Sequence, residues 1–405
     1  MDKPLSGVKV VELTTFVAAP SCGRLLSDLG AEVIKVEAPA GDMWRTSGKS
    51  YIPTRFCDEE NPVFDIYNTG KKMISLNLKS AEGKEAFFKL LETADVFLTN
   101  NRPAALHRLG IAYEDVCDRF PGLVYAILLG YGEKGPDSHK PAFDTTAFWT
   151  KSGFLRDMAM LNDDYMPMSP PFGVGDTFCG YLLMGEICAA LFRKLRTGKG
   201  DYVSSGLYHN AIFGMGTMNI INQRPFGKTY PTDRVGHGLP GGVYQAGDGE
   251  WMYIGTNSRK ILIEKLTRIF GEPEKALDPT FVDQQTVQII DPPAFYEYFR
   301  VNFATKSRAE WIEILEAEDI PVMPLKGFAD VSEDPQAWAN DYLEHVEFPN
   351  GHVDVMPTSP IEMLSVGALK TVPSHTVGQD TADVLASLGS TQEQIDKMRA
   401  EGAVK

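Results

Sequence analysis

One carboxylate in this 405-residue sequence has an unusual setting. Asp176 lies between glycines in the stretch GVGDTFCG (173–180), just before an apolar run that ends in the basic sequence RKLRTGKG. The apolar spacing predicts a long helix with Asp176 in its first turn. An aspartate there can cap backbone N–H groups and meet the positive end of the helix dipole. Position alone therefore favours a structural cap, and a chemical role needs further support.

The side chains that most often carry nucleophilic or metal chemistry show no grouping elsewhere. The cysteines are odd in number and have no CxxC pair, which indicates reduced thiols: Cys22, Cys57, Cys117, Cys179 and Cys188. Cys179 could be a nucleophile, but a buried helix thiol is the better interpretation. The seven histidines are dispersed, without an HxxxH pair. We predict no metal site.

Composition limits the classes of partner. A formal net charge of -15 argues against nucleic acid or an anionic membrane, because both need a basic surface. The N-terminus MDKPLSGVKVVEL lacks a signal peptide's layout, and the apolar run at about 182–192 is broken by Glu186 and too short to span a bilayer. With 43% hydrophobic residues the chain can form two cores. We expect a cytoplasmic, two-domain protein with no membrane partner.

Strand and helix patterns alternate through the first half of the chain. Helical spacing separates β-rich runs at 8–13, 31–37, 73–78, 95–100 and 123–130. Strands joined by helical crossovers predict a parallel sheet with helices on both faces. The expected fold class is α/β, with a large Rossmann-like domain. The loop TTFVAAPSCG after the first strand has no GxGxxG motif, which argues against an NAD or FAD enzyme even though Glu37 ends the second strand.

The pattern changes in the second half. Residues 131–172 are rich in Gly and Pro and too long for a simple connection, as in functional or lid-like loops. The stretch VYQAGDGEWMYIGT predicts two strands joined by a turn at 247–249. Helical patterns follow at about 257–270 and 293–318, so a smaller α+β domain is expected over 225–330.

Two helix starts have a sequence signature in this second half. Ser307 and Glu310 form a capping box that opens the last helix of the smaller domain. Ser390 and Glu393 have the same spacing and predict the start of the second helix of a C-terminal pair.

Several stretches together resemble the class III (formyl-CoA transferase-like, CaiB/BaiF) CoA-transferase family. They are LSGVKVVELTTFVAAPSCGRLLSDLGAEVIKVEAPAGDMWR, NTGKKMISLNLKSAEGKEAF, ADVFLTNNRPAALHRLGIAYED, LLGYGEKGPDSHKPAFD and GVGD. The similarity covers nearly the whole chain and is densest over residues 5–210. The phrases YGEKGP, GMGTM and QAWANDYL are most similar to members that act in amino-acid fermentation. Those enzymes pass CoA from a 2-enoyl-CoA to an (R)-2-hydroxy acid.

The resemblance implies an interlocked, ring-like homodimer. Residues 1–205 would form the large domain, completed by about 345–405, and 225–330 the small one. Linkers at about 205–225 and 330–345 would join the two domains. The substrates would be a CoA thioester and a small carboxylic acid, with no tightly bound cofactor.

The resemblance also places the family's nucleophilic aspartate at Asp176, which reverses the initial preference for a cap. A carboxylate is ionised at pH 7 without a partner base and can attack a thioester to give a mixed anhydride. Gly173 and Gly175 would let the substrate approach the backbone closely.

Binding residues follow from the same resemblance. CoA would be held by Val17, Ala18, Leu76, Lys79, Asn100, Asn101, Arg108, Leu109 and Lys140. Ala38 replaces an arginine that many members have, so Arg45 is a candidate for the nucleotide end. The substrate residues would be Phe143, Tyr208, Gly241 and Gly242, with the Met-rich segment 158–168 beside them. Without the family, Val17 and Leu76 could equally be core, and Lys79 and Arg108 solvated helix-end charges.

Two alternatives remain open from the sequence. The family includes α-methylacyl-CoA racemases, whose histidine precedes an aspartate in the segment that here reads PAFDTTAF. Phe143 stands at that place before Asp144, so the second base is missing and transfer is favoured. The other alternative is a non-catalytic acyl-CoA-binding subunit.

Overall fold

Six parallel strands form the main sheet of the computed structural model, which describes residues 3–47, 60–157, 169–226, 241–256, 258–279, 282–283 and 289–405. The strands are β1 Lys9–Leu13, β2 Glu32–Glu37, β3 Lys72–Ser75, β4 Val96–Thr99, β5 Val124–Leu129 and β6 Asp201–Gly206. Their order is β3-β2-β1-β4-β5-β6. In register, Val11 pairs with Ile34 on one side and with Phe97 on the other. The expected α/β class with a parallel sheet is confirmed.

The strand sequences explain why this sheet is buried on both faces. β4 and β5, VFLT and VYAILL, are buried at every position. Continuous apolar runs of this kind are typical of parallel strands covered by helices on each side. The order also reverses between β1 and β4, and in open parallel sheets ligands bind beyond the carboxyl ends of the strands at such a point.

Helices lie between and after these strands along the first 221 residues. They are α1 Ala18–Asp28, α2 Trp44–Ser47, α3 Pro62–Asp65, α4 Ala81–Glu92, α5 Pro103–Leu109, α6 Tyr113–Val116, α7 Phe154–Asp157, α8 Val174–Thr197, α9 Leu207–Gly214 and α10 Gly216–Ile221. A π-helical turn at Asp144–Thr150 precedes α7. The long helix predicted after Asp176 is α8, and it packs along α1.

Helix α8 is longer than its central apolar run suggested. Its 24 residues and mean hydropathy of 1.3 make it, among the described residues, the one helix long and apolar enough to cross a membrane. Its inner side carries buried residues such as Leu183 and Ile187 and packs on α1, which accounts for its apolar character. The expected absence of a membrane partner stays a prediction.

A second compact unit contains the described residues of Leu155–Met168 and Ile221–Glu333. Its antiparallel sheet has the order β7-β8-β9. The elements are β7 Gly242–Gln245, β8 Trp251–Ile254, α11 Arg259–Ile269, α12 Pro292–Phe303, α13 Arg308–Ala317, β9 Val322–Pro324 and α14 Phe328–Val331, with 3-10 turns at Arg224–Phe226 and Pro273–Leu277. The hairpin and the capping box of Ser307 and Glu310 are confirmed, whereas β9 had not been predicted.

The remaining residues return to the first unit, which contains Met1–Phe154, Ser169–Ile220 and Asp334–Lys405 as far as they are described. They form α15 Pro335–Ala339, β10 Leu343–Glu347, β11 Val353–Pro357, α16 Thr381–Ser387 and α17 Gln392–Ala400. The box that opens α17 consists of Thr391 and Gln394, so the prediction of Ser390 and Glu393 was wrong by one residue.

The C-terminal pair α16 and α17 closes the β3 edge of the main sheet. Met73 N–H donates to Asp380 Oδ2 at 2.6 Å, and Ser75 N–H donates to Thr381 Oγ1 at 3.0 Å. Val384 and Leu385 join the same hydrophobic core as the strands. Residues more than 300 positions apart therefore complete one sheet layer.

Candidate active site

Asp176 is the third residue of α8, and its side chain is only 9% exposed. Gly173 precedes the helix in the left-handed region at φ 76°, a conformation that suits glycine. Burial first, and then the neighbouring Asp144 carboxylate, raise the pKa of Asp176 to about 7. The expectation that this carboxyl is fully ionised at pH 7 was therefore wrong, because burial penalises the charged form. A capping carboxylate would have a lowered pKa instead.

Asp144 lies opposite the first turn of α8. The π-helical turn Asp144–Thr150 presents this residue with 2% exposure. Burial raises its pKa as well, opposed by the nearby Trp149 side chain and the backbone N–H groups of Gly173 and Gly175. Two buried carboxyl groups thus share one pocket, a setting in which the pair holds a proton more tightly than either would alone.

Two glycines allow this close arrangement. A Cβ atom at Gly175 would overlap Asp144 Oδ1 and the ring of Phe148. One turn further, a Cβ atom at Gly180 would overlap Ser21 Oγ in α1. The first turns of α8 are therefore pressed against both the π-helical turn and α1, which fixes where Asp176 points.

Tyr67 is a further neighbour that sequence reasoning missed. Its hydroxyl lies 3.4 Å from the position a Cβ atom of Gly173 would occupy, and it hydrogen-bonds with the side chain of Thr177. Burial raises the pKa of this phenol, so it stays protonated at neutral pH. Tyr67 had no sequence signal, and Asp144 was noted only as the aspartate of PAFDTTAF, because both reach Asp176 only through the tertiary fold.

Several of the predicted CoA residues gather at the carboxyl edge of the sheet. Val17 is fully buried before α1, and Ala18 is the first residue of that helix. The side-chain amide of Asn100 forms two hydrogen bonds with the β1–α1 loop. Its Oδ1 accepts from Thr15 N–H at 3.0 Å, and its Nδ2 donates to Thr15 O at 2.8 Å. Asn101 Nδ2 donates to Leu13 O at 2.9 Å. These amides brace the loop across the point where the strand order reverses.

The other predicted CoA residues differ in exposure. Leu76 follows β3, is 1% exposed and pairs with Val404, so its side chain belongs to the core. Lys79 and Arg108 are exposed, and Leu109 ends α5. Lys84 Nζ approaches Gly110, the residue that follows α5, so this cation lies near Arg108 along the chain. Lys79, Lys84 and Arg108 are the candidate positive charges for an anionic ligand.

Two predicted cations already have carboxylate partners. Lys140 Nζ pairs with Asp137 Oδ1 at 2.5 Å, and the same carboxylate binds Lys151. Arg45 binds Glu37 through two nitrogens, donates to His375 O and stacks on Phe64. Arg45 is therefore a structural residue here, and the suggestion that it contacts a nucleotide finds no support.

The predicted substrate residues lie in different places. Phe143 is 56% exposed directly before Asp144, and its ring meets Phe16 edge to face. Tyr208 begins α9 beside Lys151, whose ammonium lies over its ring. Gly241 and Gly242 open β7 in the second unit. The Met-rich segment 158–168 lies outside the described residues. So do residues 237–240 of HGLPGG (237–242), the stretch that the family resemblance suggests as a glycine-rich loop over the acyl site.

Within the described part of the chain, no group of three or more His, Cys, Asp or Glu side chains is placed to hold a metal ion. Cys179 is buried, and burial raises the pKa of its thiol to about 12. It is therefore a poor nucleophile at neutral pH.

Comparisons with known proteins agree with the resemblance stated above. Residues 5–381 match the family described as CoA-transferase family III. The chain is 36% identical over 404 residues to "(R)-2-hydroxy-4-methylpentanoate CoA-transferase" of Clostridioides difficile, covering 99% of each chain. It is 34% identical to "Cinnamoyl-CoA:phenyllactate CoA-transferase" of Clostridium sporogenes, covering 98% of this chain and 96% of that one.

Solved structures show the same likeness. Rv3272 of Mycobacterium tuberculosis superposes with a TM-score of 0.79 at 27% identity, over 94% of this chain and 98% of the other. A CAIB/BAIF family protein from Brucella suis gives a TM-score of 0.79 at 27% identity, over 96% and 100%. The chain belongs to CoA-transferase family III.

Proposed function

We propose that this CoA-transferase moves CoA from a 2-enoyl-CoA to an (R)-2-hydroxy acid, as in amino-acid fermentation, through a mixed anhydride on Asp176. The observation that carries the proposal is the buried Asp176 carboxyl at the start of α8, beside the carboxyl edge of the sheet. The names of two relatives, which mention a 2-hydroxy acid, a cinnamoyl-CoA and a phenyllactate, support the substrate class.

The chemistry needs one carboxylate and no metal ligand set. The Asp176 carboxylate attacks the thioester carbonyl, the C–S bond breaks, and CoA leaves as a thiolate. The thiolate then attacks the aspartyl carbonyl of the anhydride, which frees the donor acid and leaves an aspartyl thioester. The acceptor carboxylate attacks that thioester, expels CoA thiolate and forms a second mixed anhydride on Asp176. The thiolate then attacks the acceptor carbonyl of this anhydride, which gives the acceptor acyl-CoA and frees the Asp176 carboxylate. Each step conserves the activated acyl bond.

The raised pKa of Asp176 suits this role. A carboxylate whose conjugate acid has a pKa of about 7 is more basic, and so more nucleophilic, than one near 4, yet a good share is ionised at neutral pH. Burial also excludes water, which would hydrolyse an anhydride. The backbone N–H groups of the first turn of α8 lack partners within the helix and are candidates to stabilise the developing oxyanion.

We assign CoA to the carboxyl edge near Val17 and Ala18, with its phosphates toward the exposed cations Lys79 and Arg108. We also propose an interlocked cytoplasmic homodimer, with the domain bounds expected from the sequence. Strongly exposed apolar side chains after β6, such as Phe213 at 79% and Ile220 at 57%, support an interface. Light scattering of the purified protein tests the dimer.

The test of the mechanism is intact-protein mass spectrometry after mixing with a panel of acyl-CoAs, followed by hydroxylamine or borohydride trapping. Wild type should gain a modification at Asp176. Asp176→Ala should show no such modification but should still bind CoA. CoA binding without any adduct or exchange would favour a binding subunit. Proton exchange next to the thioester in deuterated water, without an acceptor acid, would favour a racemase.

A further inference from the structure

Four aromatic side chains form a continuous surface next to the segment that leads into α8, here named the aromatic platform: Phe16, Trp44, Phe143 and Phe172. Phe172 stacks on Trp44 with ring centroids 4.9 Å apart and planes 10° from parallel. Phe16 joins Trp44 at 6.1 Å and Phe143 at 5.8 Å. The base of the platform is buried, since Trp44 is 2% exposed, whereas Phe143 and Phe172 are 56% and 45% exposed.

The platform adjoins the nucleophile through the chain itself. Phe172 is followed by Gly173, and Asp176 comes three residues later; Phe143 is followed by Asp144. Both exposed rings therefore belong to the two segments that bring the paired carboxyls together. Gly173 also lies against Val17, with 3.7 Å between the position of a glycine Cβ and Val17 Cγ1, so the platform and the first turn of α8 share one base.

The loop that carries Phe16 is held rigidly. Phe16 has φ 62°, an uncommon conformation for a residue with a side chain. Asp42 Oδ1 accepts from the backbone N–H groups of Phe16 at 3.2 Å and Trp44 at 2.9 Å, and its Oδ2 pairs with buried Lys35 at 3.0 Å. A ring fixed in this way offers apolar contact with little loss of conformational freedom.

The charges around the platform are unfavourable for a second anionic group. The cations next to it are engaged: Lys35 pairs with Glu12 and Asp42, and Arg45 with Glu37. Among the described residues, the acidic groups that adjoin it are Asp42, which pairs with Lys35, and the buried Asp144 and Asp176. A ligand carboxylate placed on the platform would lose hydration and meet like charge, so a hydrocarbon group is the favoured occupant.

We propose that the aromatic platform binds the hydrocarbon side chain of the acid whose carboxyl group reacts at Asp176. It selects 2-hydroxy acids with aromatic or branched aliphatic side chains over dicarboxylates and over acids with a methyl group only. The inference rests on the proposed function, and it assigns the selection to Phe172 and Phe143. Truncating either ring removes contact area for large acids and leaves a small acid unaffected.

The test measures kcat/KM for four acceptors with cinnamoyl-CoA as donor: 3-phenyllactate, 2-hydroxy-4-methylpentanoate, lactate and 2-hydroxysuccinate. Wild type should prefer the first two over 2-hydroxysuccinate by roughly 100-fold or more. Phe172→Ala should lower kcat/KM for 3-phenyllactate about tenfold and change that for lactate less than twofold. Phe143→Ala is a second variant in case the first does not fold.

Phe192→Ala is the matched control, because Phe192 is an exposed phenylalanine like Phe172 but lies far from the platform. It is on α8, 16 residues beyond Asp176, which is about 24 Å along the helix. It should leave the acceptor preference unchanged. An equal loss for all acceptors, with a higher KM for the donor, would assign the platform to CoA and overturn the inference. Equal rates for 2-hydroxysuccinate and 3-phenyllactate in wild type would overturn it too. Absence of exchange and of any trapped adduct with every acid would instead refute the proposed function, and the inference with it.

Discussion

Asp176→Asn should make the protein more stable at neutral pH while it abolishes CoA transfer. The carboxyl has a pKa of about 7 in the folded chain, against 3.8 as its ordinary value. The folded state therefore holds the proton more tightly than the unfolded state. Between about pH 4 and pH 7 unfolding releases that proton, so the stability of the wild type falls as pH rises and then levels off above pH 7. An amide does not titrate, so the variant escapes this loss.

The size of the effect follows from the shift. About 3 pKa units correspond to roughly 4 kcal/mol of destabilisation at pH 8, of which roughly 1.5 kcal/mol is already present at pH 5. The free energy of unfolding of Asp176→Asn should thus exceed that of wild type by about 2–3 kcal/mol more at pH 8 than at pH 5. For a chain of 405 residues this equals about 3 °C in Tm.

Differential scanning calorimetry at pH 5 and pH 8 measures this quantity directly. Wild type, Asp176→Asn and the control Asp118→Asn, which changes an exposed carboxyl, are compared in the same buffers. The Tm advantage of Asp176→Asn should be about 3 °C larger at pH 8, and Asp118→Asn should show no such trend. An advantage of equal size at both pH values would refute the argument that burial raises this pKa.

Three further predictions concern the surroundings of Asp176. Asp144→Asn removes the carboxylate that helps to raise the pKa of Asp176, so the acidic limb of the kcat/KM profile should move to lower pH by up to about one unit; an unmoved limb would contradict the coupling. Gly175→Ala should cost about 1–3 kcal/mol in urea unfolding because its Cβ overlaps Asp144, whereas Gly185→Ala, in open space on the same helix, should be neutral or stabilising. Lys79→Ala should raise the KM for acyl-CoA with little change in kcat, and a loss confined to kcat would argue against phosphate contact.

The parallel sheet could be predicted because its strands are buried on both faces and therefore read as continuous apolar runs. The boundaries were less certain: β3 ends at Ser75, although the apolar alternation continues to Leu78. Strand β9 is three residues long, Val322–Pro324, and its pairing with β8 depends on tertiary contact rather than on its own pattern. Short strands of this kind carry too little periodicity to be recognised.

The candidate site, like the fold, has parts that could be predicted from the sequence and parts that could not. Asp176 could be found because glycines and a helix start surround it in sequence, and a family resemblance supplied its role. Asp144 was noted only as the aspartate of PAFDTTAF, because its place beside Gly175 arises when the π-helical turn packs on α8. The raised pKa of Asp176 could not be predicted either, since burial is a property of the folded chain.

The closure of the β3 edge has a consequence for biosynthesis. Met73 bonds Asp380, 307 residues later, and Asn77 N–H donates to Ala403 O. A ribosome needs roughly 15–60 s to add that many residues, at about 5–20 residues per second. During this interval the outer edge of β3 lacks its partner, and the second unit is synthesised. The nascent chain therefore exposes the β3 edge until its C-terminal residues have been made. We expect a ribosome-associated chaperone to bind this edge.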